Sequence, residues 1–269
     1  MTLRSMEIVQ SNEAFKKIDG KFQFVYVQII VRQDNVLYSA KWMDRENDPQ
    51  DLSQLLDIQR VETQDRGPEV RQTWTVVSQF DCYVKTPSLF SYTGRSDLEK
   101  QIIREVEACE VLRKHPHPNI AFYYGCQVTR GRVSGLCFKR YTSTLLEKVN
   151  PQNLNKFAFL SSGRPLVDDF IKASLIGILQ AIQHLHSLGL VHNDITPANI
   201  MFTEDGTPVL IDFDSCRLVG ESLRDTEAKR THEWHNPDVK TALEKNDLDA
   251  FTELTTWLIG SVAEEFLFK

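Results

Sequence analysis

Three short apolar runs alternate with polar loops between residues 190 and 213, and this pattern restricts the fold more than any other feature of the chain. The runs occupy residues 190–191, 200–202 and 209–211. An Asp-Gly turn at Asp205-Gly206 stands between the second and third runs. Such a turn between apolar runs is typical of a β-hairpin. The stretch therefore predicts short strands joined by polar loops, with a hairpin over residues 200–211.

Polar side chains stand at the ends of these runs. Asp194 and Asn199 lie in the first loop, and Asp212 directly follows the third run. Side chains at strand ends and in loops can converge on a ligand. The sequence therefore predicts a site formed by these three residues. The alternative is an ordinary hairpin whose acids serve only its turns.

Residues 96–114 give the clearest helix pattern of the first half. Ser96 with Glu99 makes a capping-box pattern at the start of this helix. An apolar stripe runs along the helix at spacings of four, three, four and three residues, and Glu105 occupies one of its positions. The members of the stripe are Leu98, Ile102, Glu105, Cys109 and Leu112.

A carboxylate on the apolar face of a helix needs a cation, because burying it unpaired costs several kcal/mol or forces its protonation. Lys85 ends a predicted strand just upstream and is the expected partner of Glu105. Two alternatives stay open. Either the stripe is slightly shifted and Glu105 points to solvent, or Lys41 supplies the cation from farther away in the sequence.

The fold class predicted is α+β, with a β-rich first half and a helical second half. Aromatic and β-branched residues predict strands in the first half. These strands are expected at residues 22–42, with a turn at 33–35, and at 74–84, 120–124 and 133–141. We expect residues 1–140 to form a mainly antiparallel lobe that carries the helix, and residues 141–269 to form a helical lobe.

Helical patterns dominate the second half. Residues 166–188 are apolar over most of two faces and are followed by Gly189, so we expect a long central helix that ends there. Residues 248–268 form another apolar helix candidate. Residues 154–165 are predicted to be a connection, and residues 214–237 a polar, mobile surface segment.

Charge and hydropathy argue against two classes of partner. A net charge of −6 and an isoelectric point near 5.7 give no overall basic field, so no nucleic acid partner is expected. No run approaches the roughly 18 apolar residues of a membrane span, and no signal-peptide pattern opens the chain, so no membrane association is expected. The five cysteines are scattered without metal-type spacing and are interpreted as reduced thiols. The predicted location is the cytoplasm or the nucleus.

Two motifs in the second half carry a family resemblance. Residues 192–199 read His-Asn-Asp-Ile-Thr-Pro-Ala-Asn and match the H-R-D-L-x-x-x-N catalytic loop of protein kinases. Residues 212–214 read Asp-Phe-Asp and match the D-F-G element with its glycine replaced. A strand lysine, a helix glutamate and a long helix precede these motifs in the order found in that family. The chain therefore resembles a divergent protein kinase, similar to the kinase-like proteins frequent in filamentous fungi.

The resemblance implies a bilobal fold and phosphate transfer from ATP with Mg²⁺. Asp194 would accept the proton of the substrate hydroxyl in a catalytic loop that also contains Asn199, while Asn199 and Asp212 would hold the metal. Lys85 would contact the ATP phosphates and pair with Glu105. The implied activity is that of a serine/threonine protein kinase acting on a protein substrate.

Two further matches lie near the end of the chain. Asn236-Pro237-Asp238 resembles the A-P-E element, and Asp247 resembles the aspartate that opens the next large helix of the family. The sequence stops soon after that helix. We therefore expect a helical lobe that lacks its last helices, with a protein partner covering the exposed apolar surface.

Departures from the family pattern concern nucleotide binding and control. No glycine-rich loop precedes Lys85, which predicts weak or altered ATP binding. Asn193 replaces the arginine that pairs with a phosphorylated activation loop, so control through phosphorylation of Thr226 or Thr231 is not expected.

Other departures keep the activity and the substrate class open. Thr196 replaces a lysine common in serine/threonine kinases, and Asp214 replaces the glycine of D-F-G, where it adds negative charge beside the metal site. One alternative is a pseudokinase that serves as a binding or scaffold module. Another is a small-molecule kinase similar to the aminoglycoside phosphotransferases.

Overall fold

A computed structural model describes residues 6–18, 21–63, 66–78, 81–92, 98–224, 230–261 and 266–268. The chain forms two compact units. The first unit comprises Met1–Gly67 with Thr86–Glu99, and the second comprises Pro68–Lys85 with Lys100–Lys269. A lobe boundary at residue 140 stays a prediction.

The first unit contains a four-stranded antiparallel sheet in sequence order. Its strands are β1 (Glu7–Ile18), β2 (Lys21–Gln33), β3 (Val36–Trp42) and β4 (Leu56–Val61). Asp34 and Asn35 join β2 to β3 with φ angles of 52° and 63°, a left-handed pair typical of two-residue hairpins. Ile29 and Val31 lie on one face of β2 and pack in the core of this unit, and Ile30 on the opposite face is buried as well.

The second unit contains a three-stranded antiparallel sheet. Its strands are β5 (Tyr83–Lys85), β6 (Tyr123–Thr129) and β7 (Arg132–Phe138), in the order β5-β7-β6. Lys85 is the last residue of β5 and lies opposite Leu136 of β7. The strand end predicted for Lys85 is thereby confirmed.

The strand prediction over residues 74–84 is wrong except at its end. Among the described residues of this range only Tyr83–Lys85 is a strand, and residues 79–80 lie outside the described part of the chain. Residues 68–77, here called the connecting segment, have no continuous strand. Single backbone hydrogen bonds attach this segment to β6, for example from the Cys126 N–H to the Thr75 carbonyl at 2.7 Å. The reason is that the Thr75 N–H donates to the Glu110 side chain, so it cannot form a backbone hydrogen bond with a neighbouring strand.

Helix α1 (Leu98–Lys114) is the helix predicted for residues 96–114. Residues 93–97, which include the predicted cap Ser96, lie outside the described residues. All members of the predicted stripe are buried, and Glu105 is 6 % exposed. Glu105 therefore does occupy the apolar face, and the alternative in which it points to solvent is wrong.

Four helices follow in the second unit: α2 (Leu145–Val149), α3 (Lys156–Ser161), α4 (Asp169–Ser187) and α5 (Glu244–Ile259). The predicted connection at 154–165 contains α3, whose cap is the Asn155 side chain, and this short helix was missed. Helix α4 starts three residues later than predicted because the Asp168 side chain accepts from the Ile171 N–H.

Helix α4 is central, as expected. It packs against β10 (Pro208–Leu210), β8 (Leu190–Val191) and α5. Gly189 follows it with φ 73°, the left-handed conformation that ends many helices. Ile178, Ile182 and Leu185 of α4 are almost fully buried, so the core of this unit surrounds the helix.

Short strands surround the polar loops of residues 190–213. Strands β9 (Ile200–Phe202) and β10 form an antiparallel hairpin whose turn contains Gly206 at φ 87°, which confirms the predicted hairpin. Strand β11 (Arg217–Leu218) pairs with β8. The residues just after Asp214 are therefore fixed by strand pairing, and the prediction of a mobile segment is wrong for them, while residues 225–229 lie outside the described part of the chain.

The predicted last helix is displaced. Helix α5 begins at Glu244 and ends at Ile259, whereas the prediction ran from residue 248 to residue 268. Residues 266–268 are not helical, because the N–H groups of Leu267 and Phe268 donate to the Glu253 carboxylate instead. Among the residues that the structure describes, no helix has the length and apolar character needed to cross a membrane.

Candidate functional site

A lysine between two carboxylates forms the centre of the site. The Nζ atom of Lys85 on β5 lies 2.5 Å from Glu105 Oε1 on α1 and 2.6 Å from Asp212 Oδ1, just after β10. The Glu105 side chain is 8 % exposed, against 24 % for Lys85 and 35 % for Asp212. The cation predicted opposite α1 is therefore Lys85. The alternative, Lys41, pairs with Asp57 in the first unit at 2.6 Å.

The Lys85 cation is stabilised by its carboxylate neighbours, whereas burial raises the pKa of Glu105 and the Lys85 ammonium offsets only part of that rise. Burial alone would lower the pKa of Lys85, but the carboxylates of Glu105, Asp212 and Asp214 raise it above its ordinary value. Burial pushes the pKa of Asp212 upward, and the Lys85 ammonium outweighs it and holds the pKa below its ordinary value. Lys85 is therefore a fixed cation and Asp212 a fixed anion at neutral pH.

Asp194 and Asn199 form a second pair in the loop after β8. The Asn199 amide nitrogen donates to the Asp194 carbonyl at 2.9 Å and to Asp194 Oδ2 at 2.8 Å. The Thr231 N–H donates to Asp194 Oδ1 at 2.8 Å. Burial raises the pKa of Asp194, and these hydrogen bonds offset only part of that rise. A carboxylate with a raised pKa is suited to accept a proton.

His192 connects the two groups. Its Nδ1 accepts from the Asp194 N–H at 3.3 Å, which leaves Nε2 to donate to the Ile211 carbonyl at 3.0 Å. The imidazole also contacts the buried Phe213 ring edge to face, with 5.6 Å between ring centroids. Since Ile211 immediately precedes Asp212, the histidine fixes the loop of Asp194 relative to that of Asp212.

Asp247 fixes the backbone at residues 192–193, in the loop that leads to Asp194. It is fully buried in the first turn of α5 and accepts from the N–H groups of His192 and Asn193 at 2.8 and 2.7 Å. The imidazole of His186 lies 2.9 Å from the same carboxylate. These bonds hold Asn193 at φ 64°, a left-handed conformation that asparagine tolerates.

The residues that depart from the family pattern are structural in this site. The Asn193 amide donates to the carbonyls of Val191 and Ser215 at 3.0 and 3.2 Å, so it joins β8 to the loop before β11. Thr196 is 1 % exposed, and its buried hydroxyl has no hydrogen-bond partner. The Asp214 N–H lies 3.3 Å from Asp212 Oδ1 and helps to orient that carboxylate.

A cavity of 310 Å³ opens beside Lys85 and Asp212. Its remaining walls are mainly apolar and aromatic, with two cationic side chains. They come from β5, the end of β7 and the residues after it, a residue that precedes β6, and β9 with the residue after β10. These lining residues are Tyr83, Ala121, Phe138, Lys139, Arg140, Tyr141, Met201 and Ile211. An apolar cleft with a few charges at one end is the usual form of a small-ligand site.

Sequence reasoning missed most of the cavity wall. A signal was present for Tyr83, because it precedes Lys85 by two residues and so lies on the same face of β5. The contact between Thr231 and Asp194 had no local signal, since the two residues are 37 positions apart.

The oxygen atoms in the site suit a hard cation. Asp212 supplies a carboxylate and Asn199 an amide oxygen, and Mg²⁺ binds proteins through one or two such groups, completing its shell with water and phosphate. No cluster of three or more His, Cys, Asp or Glu side chains that could hold a metal occurs within the described residues. The donor set therefore fits a cation shared with a phosphate ligand, and not a fully protein-bound metal.

Comparisons with known proteins give one family. The family model for the protein kinase domain matches residues 85–269, beginning at Lys85. The serine/threonine-protein kinase Tao of Drosophila melanogaster is 28 % identical over 172 residues, and TAO1-B of Xenopus laevis is 32 % identical over 180 residues. These alignments cover 63 % and 65 % of this chain. They span only 15 % and 16 % of the length of those relatives.

Proposed function

We propose, from the premise that the chain belongs to the protein kinase family, that it is an ATP- and Mg²⁺-dependent phosphotransferase. The observation that carries the proposal is the Lys85–Glu105–Asp212 trio at one end of the 310 Å³ cavity. A fixed cation and a fixed carboxylate beside an apolar cleft suit a nucleotide, whose base is flat and apolar and whose phosphates are charged.

Each side chain has a part in the proposed reaction. The Lys85 ammonium binds the nucleotide phosphates, and Glu105 keeps the lysine oriented toward them. Asn199 and Asp212 hold Mg²⁺, which supplies neutralisation of phosphate charge when bound. Asp194 accepts the proton of the substrate hydroxyl, and Asn199 orients it through the hydrogen bond to Oδ2.

The proposed substrate is a serine or threonine hydroxyl of a protein. Serine/threonine-protein kinases are among the relatives, which supports this class. The segment that includes Thr231 lies against Asp194, so a polypeptide substrate would meet it next to the base. A small-molecule hydroxyl is the alternative substrate, favoured by the replacements at Asn193, Thr196 and Asp214.

A second candidate function is a pseudokinase that binds partners without turnover. One observation favours it: Lys85 Nζ contacts Asp212 Oδ1, an oxygen of the carboxylate that is proposed to hold Mg²⁺. The absence of a glycine-rich sequence before Lys85 points the same way. In this alternative, Lys85 and Asp212 neutralise each other permanently and nucleotide has little effect on the fold.

A thermal-shift titration with ATP separates the two candidates. We expect the melting temperature of the intact chain to rise with ATP and to rise further when Mg²⁺ is added. Asp212→Asn should remove the magnesium-dependent part, whereas Asp169→Asn, a change at an exposed side chain, should retain it. A melting temperature that does not respond to ATP and Mg²⁺ would support the pseudokinase.

Asp194→Asn tests the catalytic role. Transfer of labelled phosphate to a protein mixture should fall by roughly 10²–10⁴-fold, the usual contribution of a general base, because the substituted amide cannot accept the proton. Nucleotide binding in the thermal-shift titration should persist. Transfer at the rate of the unmodified protein would disprove the assignment of Asp194, and labelling of metabolites instead of proteins would identify a small-molecule kinase.

A further inference from the structure

Helix α1 is held from two sides by different partners. Glu105 on one side pairs with Lys85, and Glu110, roughly 140° farther round the helix at about 100° per residue, faces the connecting segment. Glu110 is 6 % exposed although it is a carboxylate. A buried carboxylate needs hydrogen bonds, so its partners indicate what position this helix is built to keep.

The partner of Glu110 is Thr75 in the connecting segment. The Thr75 N–H donates to Glu110 Oε1 at 2.6 Å, and the Thr75 hydroxyl donates to Oε2 at 3.1 Å. Arg113, one turn later on α1, donates from Nε to the same hydroxyl oxygen at 2.9 Å. Both oxygens of the buried carboxylate thereby accept hydrogen bonds from Thr75, and the Arg113 Nε atom lies 3.9 Å from Oε2.

Thr75 is also tied to the sheet that carries Lys85. Its carbonyl accepts from the Cys126 N–H at 2.7 Å, and the Val77 N–H donates to the Cys126 carbonyl at 2.9 Å. The approach is so close that a Cβ at Gly125 would lie 2.7 Å from the Thr75 carbonyl oxygen. Thr75 therefore links α1 directly to β6, in the same three-stranded sheet as β5.

A weaker contact lies at the outer edge. Arg71 pairs with Glu107 of α1 and stacks over the buried Trp74 ring at 5.0 Å. The side chains of Arg71 and Glu107 are both 50 % exposed, so solvent screens this ion pair. Of these two contacts between α1 and the connecting segment, the one between Thr75 and Glu110 involves the buried carboxylate.

We propose that the connecting segment is a positioning element for catalysis: by bonding Glu110 and Cys126 at once, Thr75 fixes α1 in the position where Glu105 meets Lys85. Thr75 and Glu110 are positioning residues that act through Glu105. The inference rests on the proposed function for the role of Glu105 in nucleotide binding. It concerns residues upstream of Lys85, where the match to the family begins.

The test is a double-mutant cycle on the full chain between Glu110→Ala and Glu105→Gln. The first readout is hydrogen exchange of the peptide covering residues 98–114, which requires no nucleotide. The second is the apparent affinity for ATP with Mg²⁺. Thr75→Val is a milder variant, since it removes the hydroxyl and keeps the volume and the N–H. Glu107→Ala is the matched control on the same helix.

Glu110→Ala should lower amide protection of the 98–114 peptide and weaken ATP affinity, each by roughly tenfold, because a buried N–H loses its acceptor. Thr75→Val should change both in the same direction by less. Glu107→Ala should stay within about twofold. In the Glu105→Gln background, Glu110→Ala should weaken ATP affinity no further, while it should still lower the protection of α1.

The two proposals fail in different ways. Unchanged protection of α1 in both Glu110→Ala and Thr75→Val would overturn the positioning role, and so would effects on ATP affinity that multiply in the double variant. If the unmodified chain does not bind ATP with Mg²⁺, the proposed function fails, and the exchange readout still decides whether Thr75 holds α1.

Discussion

Two buried lysine–glutamate pairs in the second unit have the same charges and different surroundings. Lys85 and Glu105 lie beside a 310 Å³ cavity, and the lysine keeps 24 % of its side chain exposed. Lys156 and Glu253 are 5 % and 0 % exposed. The Lys156 ammonium also donates to the Glu233 carbonyl and lies 4.7 Å from the ring centroids of Trp234 and Phe266.

The pKa directions of the two lysines reflect this difference. Burial lowers the pKa of Lys156 in spite of its bond to Glu253. The pKa of Lys85 is raised, because three carboxylates outweigh the effect of its burial. An excess of negative charge next to an open cavity favours the binding of a further cation and a ligand. The enclosed pair of Lys156 and Glu253 is neutral overall, and its near-complete burial leaves no adjoining space for a ligand within the described part of the chain. The comparison therefore separates the proposed binding site from a structural contact that uses the same residue types.

Within this comparison, the largest expected effect is on activity, from Lys85→Met. Phosphate transfer should fall by roughly 10²–10³-fold, the usual result of removing one charge-stabilising donor from an active site. Steady-state transfer rates measure it, with Lys172→Met on the exposed side of α4 as the control. Unchanged transfer in Lys85→Met would show that Lys85 is not needed for phosphate transfer, and the proposed functional role of the Lys85–Glu105 pair would be wrong.

The largest effect on stability is expected from Lys156→Met. The substitution leaves the fully buried Glu253 without its cation, which should lower the free energy of unfolding by about 3–5 kcal/mol. Urea denaturation measures the change. The double variant Lys156→Met/Glu253→Gln should recover most of the loss, because glutamine is neutral and still accepts from the Leu267 N–H. A double variant less stable than the single one would contradict this interpretation.

A smaller effect concerns pH. Because burial raises the pKa of Asp194, the base takes up its proton at a higher pH than an ordinary aspartate, whose pKa is about 3.9. The acid limb of kcat/KM should therefore lie above that value, with activity lost as the pH falls through it. A limb at or below the ordinary aspartate pKa would show that another group controls the acid side.

The smallest effect is expected at an exposed pair that serves as a reference. Lys245 lies 2.6 Å from Asp249 Oδ2, one turn along α5, and its side chain is 76 % exposed. Lys245→Ala should change the free energy of unfolding by about 0.5 kcal/mol or less. A loss as large as that of Lys156→Met would show that burial does not explain the difference between these ion pairs.

Local patterns predicted the position of Glu105 and the hairpin correctly. The helical period alone placed Glu105 on the buried face of α1, and the cost of an unpaired buried carboxylate then identified Lys85 as its partner. The Asp-Gly turn likewise predicted the hairpin of β9 and β10. These features depend on backbone geometry over a few consecutive residues, so they can be predicted from the local sequence pattern.

Contacts between distant segments were not predictable in the same way. Lys156 and Glu253 are 97 positions apart, and Thr75 and Glu110 are 35 apart. Each of these residues also has an ordinary interpretation within its own segment: Lys156, Glu110 and Glu253 as surface charges, and Thr75 as a residue of a predicted strand. The strand predicted over residues 74–84 was wrong for this reason, because a side chain of α1 takes the N–H that a ladder would use.

The sequence by itself determined the α+β class, the kinase motifs and the residues that carry charge into the site. Only the tertiary structure decided which lysine–glutamate pair borders a cavity, which one is enclosed, and that a segment upstream of Lys85 holds α1. Periodicity and turn chemistry act over one or two turns of chain, so they can be read from the sequence. Burial of a charge depends on which elements pack around it, and that is fixed only when the whole unit has folded.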